Sequence, residues 1–200
     1  MAIRIGLWIA ALAVAGLAVP VAAAQNREEP TKLTEKQEER RTDGLRGPFK
    51  RWLDEDVPYI ITPEERKAFV QMATDEEREN FIESFWMRRD PTPGSTENEY
   101  KEEHYRRIAW ANDRYASDTP GWRTERGRIY IAYGPPDEIE SHPSGGQYRP
   151  PGEEGGGFNS AYPFEIWRYR LVEGVGRDIL LKFVDPTMTG EYQLTTDPSE

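Results

Sequence analysis

The 200-residue sequence contains no cysteine. That absence excludes disulfides, a lipid-modified N-terminal cysteine, thiolate metal centres and a cysteine nucleophile. Histidine is nearly as scarce: His104 and His142 are the two present, so an all-histidine metal site is excluded as well. Positive charge is in deficit, with 26 Lys and Arg against 36 Asp and Glu and a formal net charge of −10. A chain of that balance is a poor partner for nucleic acid, whose binding depends on neutralising phosphates. There is no Gly-x-Ser-x-Gly elbow for a serine hydrolase. The glycine cluster from Gly152 to Gly157 carries Glu153 and Glu154, and lacks the Lys and Ser or Thr that a phosphate loop requires. Aromatic side chains are abundant at 12%, enough to build a packed core.

A hydrophobic run occurs at the N-terminus. Ile5 to Val19 is apolar and uncharged, follows Arg4, ends at Pro20 and leads into Ala22-Ala23-Ala24. This pattern predicts a signal peptide over residues 1–24, cut before Gln25. The apolar run falls short of the about 20 residues a bilayer-spanning helix needs. The expectation is a periplasmic or secreted protein with no lipobox and no transmembrane span after cleavage. Residues 25–47 are polar and mixed in charge, with Leu33 and Leu45 as their large apolar side chains. They predict a disordered charged linker, because so little apolar surface cannot offset the chain entropy of ordering.

Three helix signatures follow. Thr62-Pro63-Glu64-Glu65 and Thr74-Asp75-Glu76-Glu77 each place a cap residue three positions before a Glu able to close a capping box. Helices are predicted at 63–72 and 75–89, the second stopping before Pro91. Thr96 is placed to cap a third, over 97–116, with Tyr100, His104, Ile108, Ala111 and Tyr115 on one face. Strands are predicted near 128–133, 164–171, 178–184 and 191–195, with residues 142–160 as a Gly- and Pro-rich surface loop. Helices first and strands afterwards give an α+β class: three N-terminal helices packed on an antiparallel sheet of about four strands.

Gly121-Trp122-Arg123-Thr124-Glu125-Arg126-Gly127-Arg128 resembles the motif of the GWxTD domain family of exported bacterial proteins, with Glu125 where the family name has Asp. Phe85 to Gly94, Asn98-Glu99, Tyr133 to Asp137 and Phe164 to Tyr169 resemble the same family, so the likeness runs from about Trp52 to Leu194. It implies a GWxTD-type α+β domain over 48–197 and export to the envelope. The family carries no established activity to transfer.

The charged constellations have two readings. Arg88, Arg89, Asp90, Glu99, Arg106, Arg107, Glu125, Arg126, Arg128 and Asp137 fall at helix ends and at the entry to the sheet. They form either Arg–carboxylate locks between elements or a guanidinium-lined groove for a carboxylate or peptide terminus. The binding candidates are Arg88, Arg89, Asp90, Trp122, Arg126, Arg128 and Asp137, expected where the 121–128 turn meets the Arg88-Arg89-Asp90 helix end. Glu99, His104 and Glu125 are the acid–base candidates, although His104 on the apolar stripe also reads as a hydrogen-bonded core residue. No metal site or cofactor is expected. The sequence therefore points to an envelope binding or assembly module whose partner is a protein or peptide. A hydrolase acting on peptide or glycan, and a structural domain of a larger envelope protein, are the alternatives.

Overall fold

Two capping boxes set the first helices. In the computed structural model, which describes residues 44–149 and 157–195, Thr62 accepts from the Glu65 N–H and Glu65 answers from the Thr62 N–H; Thr74 and Glu77 repeat the device. These boxes start α2 (Pro63–Gln71) and α3 (Asp75–Met87). The predicted signal peptide, most of the predicted linker, and residues 150–156 and 196–200 lie outside the described residues.

A short α1 (Gly47–Arg51) precedes them and runs into a single π-helical turn, Trp52–Asp56, closed by the Val57 N–H on the Trp52 carbonyl at 3.0 Å. Leu45, at the end of the predicted linker, is buried with Trp52, Leu53, Val57, Phe69, Val70, Phe85 and Trp86 in a first core cluster. Phe69, Phe81 and Phe85 surround the Trp52 ring at 4.8 to 6.2 Å between centroids, in tilted and edge-on geometry. Arg89 closes this cluster: it lies 3.7 Å over the Phe85 ring and donates to Glu65 Oε2 at 2.7 Å.

The long helix α4 (Glu99–Tyr115) bridges to a second cluster. It is capped by Asn98, not by Thr96: the Asn98 side chain accepts from the Lys101 N–H at 2.9 Å and donates to the Trp86 carbonyl at 2.7 Å. Capping alone would leave Thr96 competitive, but Asn98 alone ties the helix start to the end of α3. Tyr105 packs on the first cluster. Ala111 and Tyr115 enter the second, with Ile131, Trp167, Tyr169, Val172 and Phe183.

The predicted strand at 128–133 is a helix, α5 (Glu125–Tyr133). The β-branched and aromatic run favours a strand by local propensity, yet tertiary packing decides. Thr124 caps the helix, Arg126, Gly127 and Ile131 are buried, and Tyr130 stacks flat on Trp110 of α4 at 4.1 Å and 13°. Gly134, at φ +84°, ends it by donating to the Tyr130 carbonyl.

The sheet is antiparallel with four strands in the order β1 (Glu138–His142), β4 (Phe164–Val172), β5 (Gly176–Val184), β6 (Gln193–Thr195). Its first strand falls partly in the predicted loop. That loop also contains β2 (Gly146–Tyr148) and β3 (Phe158–Ser160), which pair with each other. Tyr148 is buried with Phe164, Ile166 and Val184, forming a third cluster. Sheet residues Trp167 and Tyr169 face the helices; the class is α+β, with five α-helices among the described residues. No helix among the described residues is long and apolar enough to cross a membrane.

Glu65 serves both its capping box and two arginines. Burial pushes its carboxyl up, but hydrogen bonds from Arg89, Arg88 and the Thr62 N–H outweigh this and hold it at about 2. A depressed carboxyl contributes stability that is complete above its ordinary value of 4.5 and is lost as pH falls toward about 2. Glu65→Gln is therefore expected to cost about 2 kcal/mol at neutral pH and to flatten the acid limb between those values, read by denaturant titration at successive pH.

Candidate functional site

The 121–128 segment is first a joint between helices. After α4 the chain makes a 3-10 turn, Gly121–Arg123, with the Trp122 N–H donating to Asn112 Oδ1 at 3.0 Å. Gly121 lies so close to α4 that a Cβ there would strike the Ala111 carbonyl. The Thr124 hydroxyl donates to the Gly121 carbonyl at 2.8 Å and accepts the Gly127 N–H at 3.1 Å. A Cβ on Gly127 would land on the Gly121 carbonyl oxygen. Gly, Thr and Gly at three-residue spacing thus serve two contacts: Gly121 lets the turn pack on α4, and Thr124 and Gly127 seat the turn carbonyl on the first turn of α5. The capping is done by Thr124, so Glu125 is released to reach the sheet, where it accepts the Leu194 N–H.

Arg126 is the lock between α5 and the sheet. Its residue is 8% exposed; it donates to Glu165 Oε1 at 3.0 Å and to the Gly190 carbonyl at 3.0 Å. The guanidinium is sandwiched by Tyr115 and Tyr192, at 4.8 and 3.8 Å from the ring centroids. Glu165 is held on its other side by the Trp167 indole N–H at 2.9 Å.

Arg128 points away from this lock and is exposed, with no ion pair among the described residues. Together with Tyr59, Glu125, Ile129, Ala132, Tyr133 and Leu194 it lines a groove of about 270 Å³ along α5. Its guanidinium lies 5.6 Å over the Tyr59 ring. Tyr59 in turn meets Trp122 at 6.4 Å, and Arg123 covers Trp122 at 4.7 Å. Tyr133 and Leu194 are 47% and 39% exposed, so the groove has an open apolar rim.

The remaining candidates are elsewhere. Arg88 and Arg89 both bind Glu65 of α2, and Asp90 accepts the Thr92 N–H. Among the described residues no hydrogen bond or ion pair joins that helix end to the 121–128 turn, and the two belong to different core clusters. Asp137 accepts the Arg170 N–H at 2.8 Å, extending the sheet edge. Arg106 and Arg107 pair with Glu103 on their own helix.

The structure does not bring Glu99, His104 and Glu125 together. Glu99 is exposed at the start of α4, and Glu125 lies against β6. His104 is 3% exposed, packs on Trp86, and its Nε2 meets the Asp56 carbonyl at 2.6 Å. A carbonyl only accepts, so Nε2 carries the proton. Burial pushes the imidazole down from its ordinary value, holding it neutral. Among the described residues no three Asp, Glu or His side chains cluster as metal ligands would.

Sequence reasoning missed Tyr59, Ile129, Ala132, Tyr133 and Leu194 as groove residues, and Glu65 and Glu165 as arginine partners. Adjacency to Trp122 was a usable signal for Arg123; nothing local marks Tyr59 or Leu194, which reach the groove from distant chain segments.

A family model described as the GWxTD domain matches residues 49–148, and the chain belongs to that family. The match takes in α2 to α5 and the first strands, and ends before β4. No curated protein and no solved structure matches the chain.

Two outcomes are expected. Glu165→Ala strands a buried guanidinium and costs about 3 kcal/mol, whereas Arg128→Ala stays within about 0.5 kcal/mol of wild type by denaturant unfolding. An imidazole depressed on folding favours the unfolded state once that state protonates, so stability falls as pH drops below the ordinary 6.5. His104→Gln should lack that slope below about pH 6.5, measured by thermal melts.

Proposed function

We propose that this GWxTD-domain protein is an exported binding module of the cell envelope, engaging a protein or peptide through the groove along α5. The observation that carries this reading is Arg128. On a chain of net charge −10, next to Glu125 and Arg126, whose side chains are engaged internally, it stands exposed beside an apolar rim without an ion partner among the described residues. An unpaired guanidinium next to exposed Tyr133 and Leu194 offers the mix of aromatic, aliphatic and Arg surface that concentrates binding energy at interfaces. Chemistry at this groove finds less support. Glu125 holds a backbone N–H, and the histidine expected to work with it lies buried against Asp56.

Export rests on the sequence pattern of residues 1–24 and on the family resemblance.

The test is crosslinking capture from an envelope extract with the chain from Gln25 onward. Wild type is expected to recover a defined partner that Arg128→Glu and Tyr133→Ala lose, while Arg106→Ala, on the far partner Glu103, retains it. Equal recovery by wild type and Arg128→Glu overturns the placement of the binding surface.

A further inference from the structure

The groove carries more than a general binding surface. Arg123 and Arg128 are both exposed, and neither makes an ion pair or hydrogen bond with a described residue. Several other arginines are matched to carboxylates, Arg66 to Asp54, Arg89 to Glu65, Arg107 to Glu103 and Arg168 to Asp178, whereas Arg46, Arg114, Arg149 and Arg177 have no ion pair among the described residues. What sets Arg123 and Arg128 apart is that their guanidiniums lie over neighbouring rings, Trp122 and Tyr59, whose centroids are 6.4 Å apart. The Tyr59 hydroxyl is a third donor at the same place, with no hydrogen bond among the described residues. Burial pushes this phenol up while both guanidiniums pull it back, so both cationic fields reach it.

We propose that this cluster is a receptor for the free C-terminal carboxylate of a peptide ending in an apolar residue. The inference rests on the reading of the α5 groove as a binding site and names its ligand. Three features of one terminal residue match three features of the groove and of its flank, where Arg123 lies over Trp122. The carboxylate meets Arg123, Arg128 and the Tyr59 hydroxyl, a donor set suited to charge-assisted hydrogen bonds. The last side chain lies on Ile129, Ala132 and Leu194. The last amide N–H faces Glu125, whose Oε2 is held by Leu194 while its Oε1 has no hydrogen-bond partner among the described residues. A cavity of about 270 Å³ holds a terminal residue and little more. A mid-chain Asp or Glu brings its carboxylate on a polar stem, with no apolar group beside it to cover the floor. Inorganic phosphate satisfies the cations but neither Glu125 nor the floor.

The experiment is isothermal titration of the chain from Gln25 onward with acetyl-Ala-Ala-Leu as free acid. The same peptide as its amide, acetyl-Ala-Ala-Glu-amide and inorganic phosphate are the comparison probes. The free acid is expected to bind saturably. The leucine amide and the Glu-amide should bind at least about tenfold more weakly, and Arg123→Ala and Arg128→Ala should each weaken the acid by about tenfold. Arg106→Ala should leave binding unchanged, and phosphate at equal concentration should not displace the acid. Several results overturn the proposal: equal binding of acid and amide, equal binding of the Glu-amide, displacement by phosphate, insensitivity to both arginine variants, or no binding up to millimolar peptide. If no peptide binds but Arg128→Glu still abolishes capture of the envelope partner, the carboxylate receptor fails and the binding module stands. If capture also survives Arg128→Glu, both fail.

Discussion

The seating of the Gly121 carbonyl on the first turn of α5 is the contact on which the second half of the molecule depends. It is a backbone-to-backbone approach, possible because Gly127 presents no Cβ to the Gly121 carbonyl, with Gly121 itself free to pack on Ala111 of α4, and it is closed by the Thr124 hydroxyl bonding both ways. The approach fixes the direction of α5. Direction then fixes where consecutive side chains go: Glu125 to the Leu194 N–H, Arg126 into the sheet, Arg128 out over Tyr59. One glycine-to-glycine contact thereby sorts three neighbouring charges into an edge cover, a buried lock and an exposed cation. The edge cover matters because β6 is a sheet margin, and an uncovered margin invites strand addition. The opposite margin, β1, is defended differently, by Glu138 and Glu140 along an exposed strand.

Of the three core clusters, two are strung on α4. The N-terminal helices close round Trp52, and the sheet closes round Trp167. His104 joins the first core to α4 by satisfying the Asp56 carbonyl left at the end of the π-helical turn. Burial lowers the proton affinity of the ring, although the bond to the Asp56 carbonyl favours the charged form. The residue is thus a structural hydrogen-bond donor, buried away from any substrate an acid–base catalyst would serve.

The parts of this architecture legible in the sequence are those encoded locally. Both capping boxes state their helices within four residues, and the alternation of Ile179, Leu181 and Phe183 states a strand. The Arg–carboxylate locks were legible as a class of interaction but not in their pairings. Glu65 lies 24 residues from Arg89, and Glu165 lies 39 from Arg126, and no local rule names a partner at that range. The run Arg128 to Tyr133 misleads because its β-branched and aromatic residues serve helix packing against Trp110 and the sheet. What could have corrected it was already in the motif, since Thr124 with Gly127 three residues on is a cap with its N–H partner. The groove was partly legible: Glu125 and Arg128 came from the motif, while Tyr59 and Leu194 are delivered by tertiary structure alone.

The proposed binding surface follows from the same joint. The residues of the motif that pack and cap are unavailable to a ligand, and two arginines are left over, Arg128 in the groove and Arg123 beside it over Trp122. The central claim is that the 121–127 joint and its reach to β6 form one structural unit with the core. Native-state hydrogen exchange tests it most directly, at the amides of Trp122, Gly127 and Leu194, which donate to Asn112, Thr124 and Glu125. The account predicts that all three exchange as slowly as the interior of α4, through global unfolding. Fast exchange of Gly127 and Leu194 while α4 stays protected would contradict it, because the joint would then open independently of the core it is said to organise.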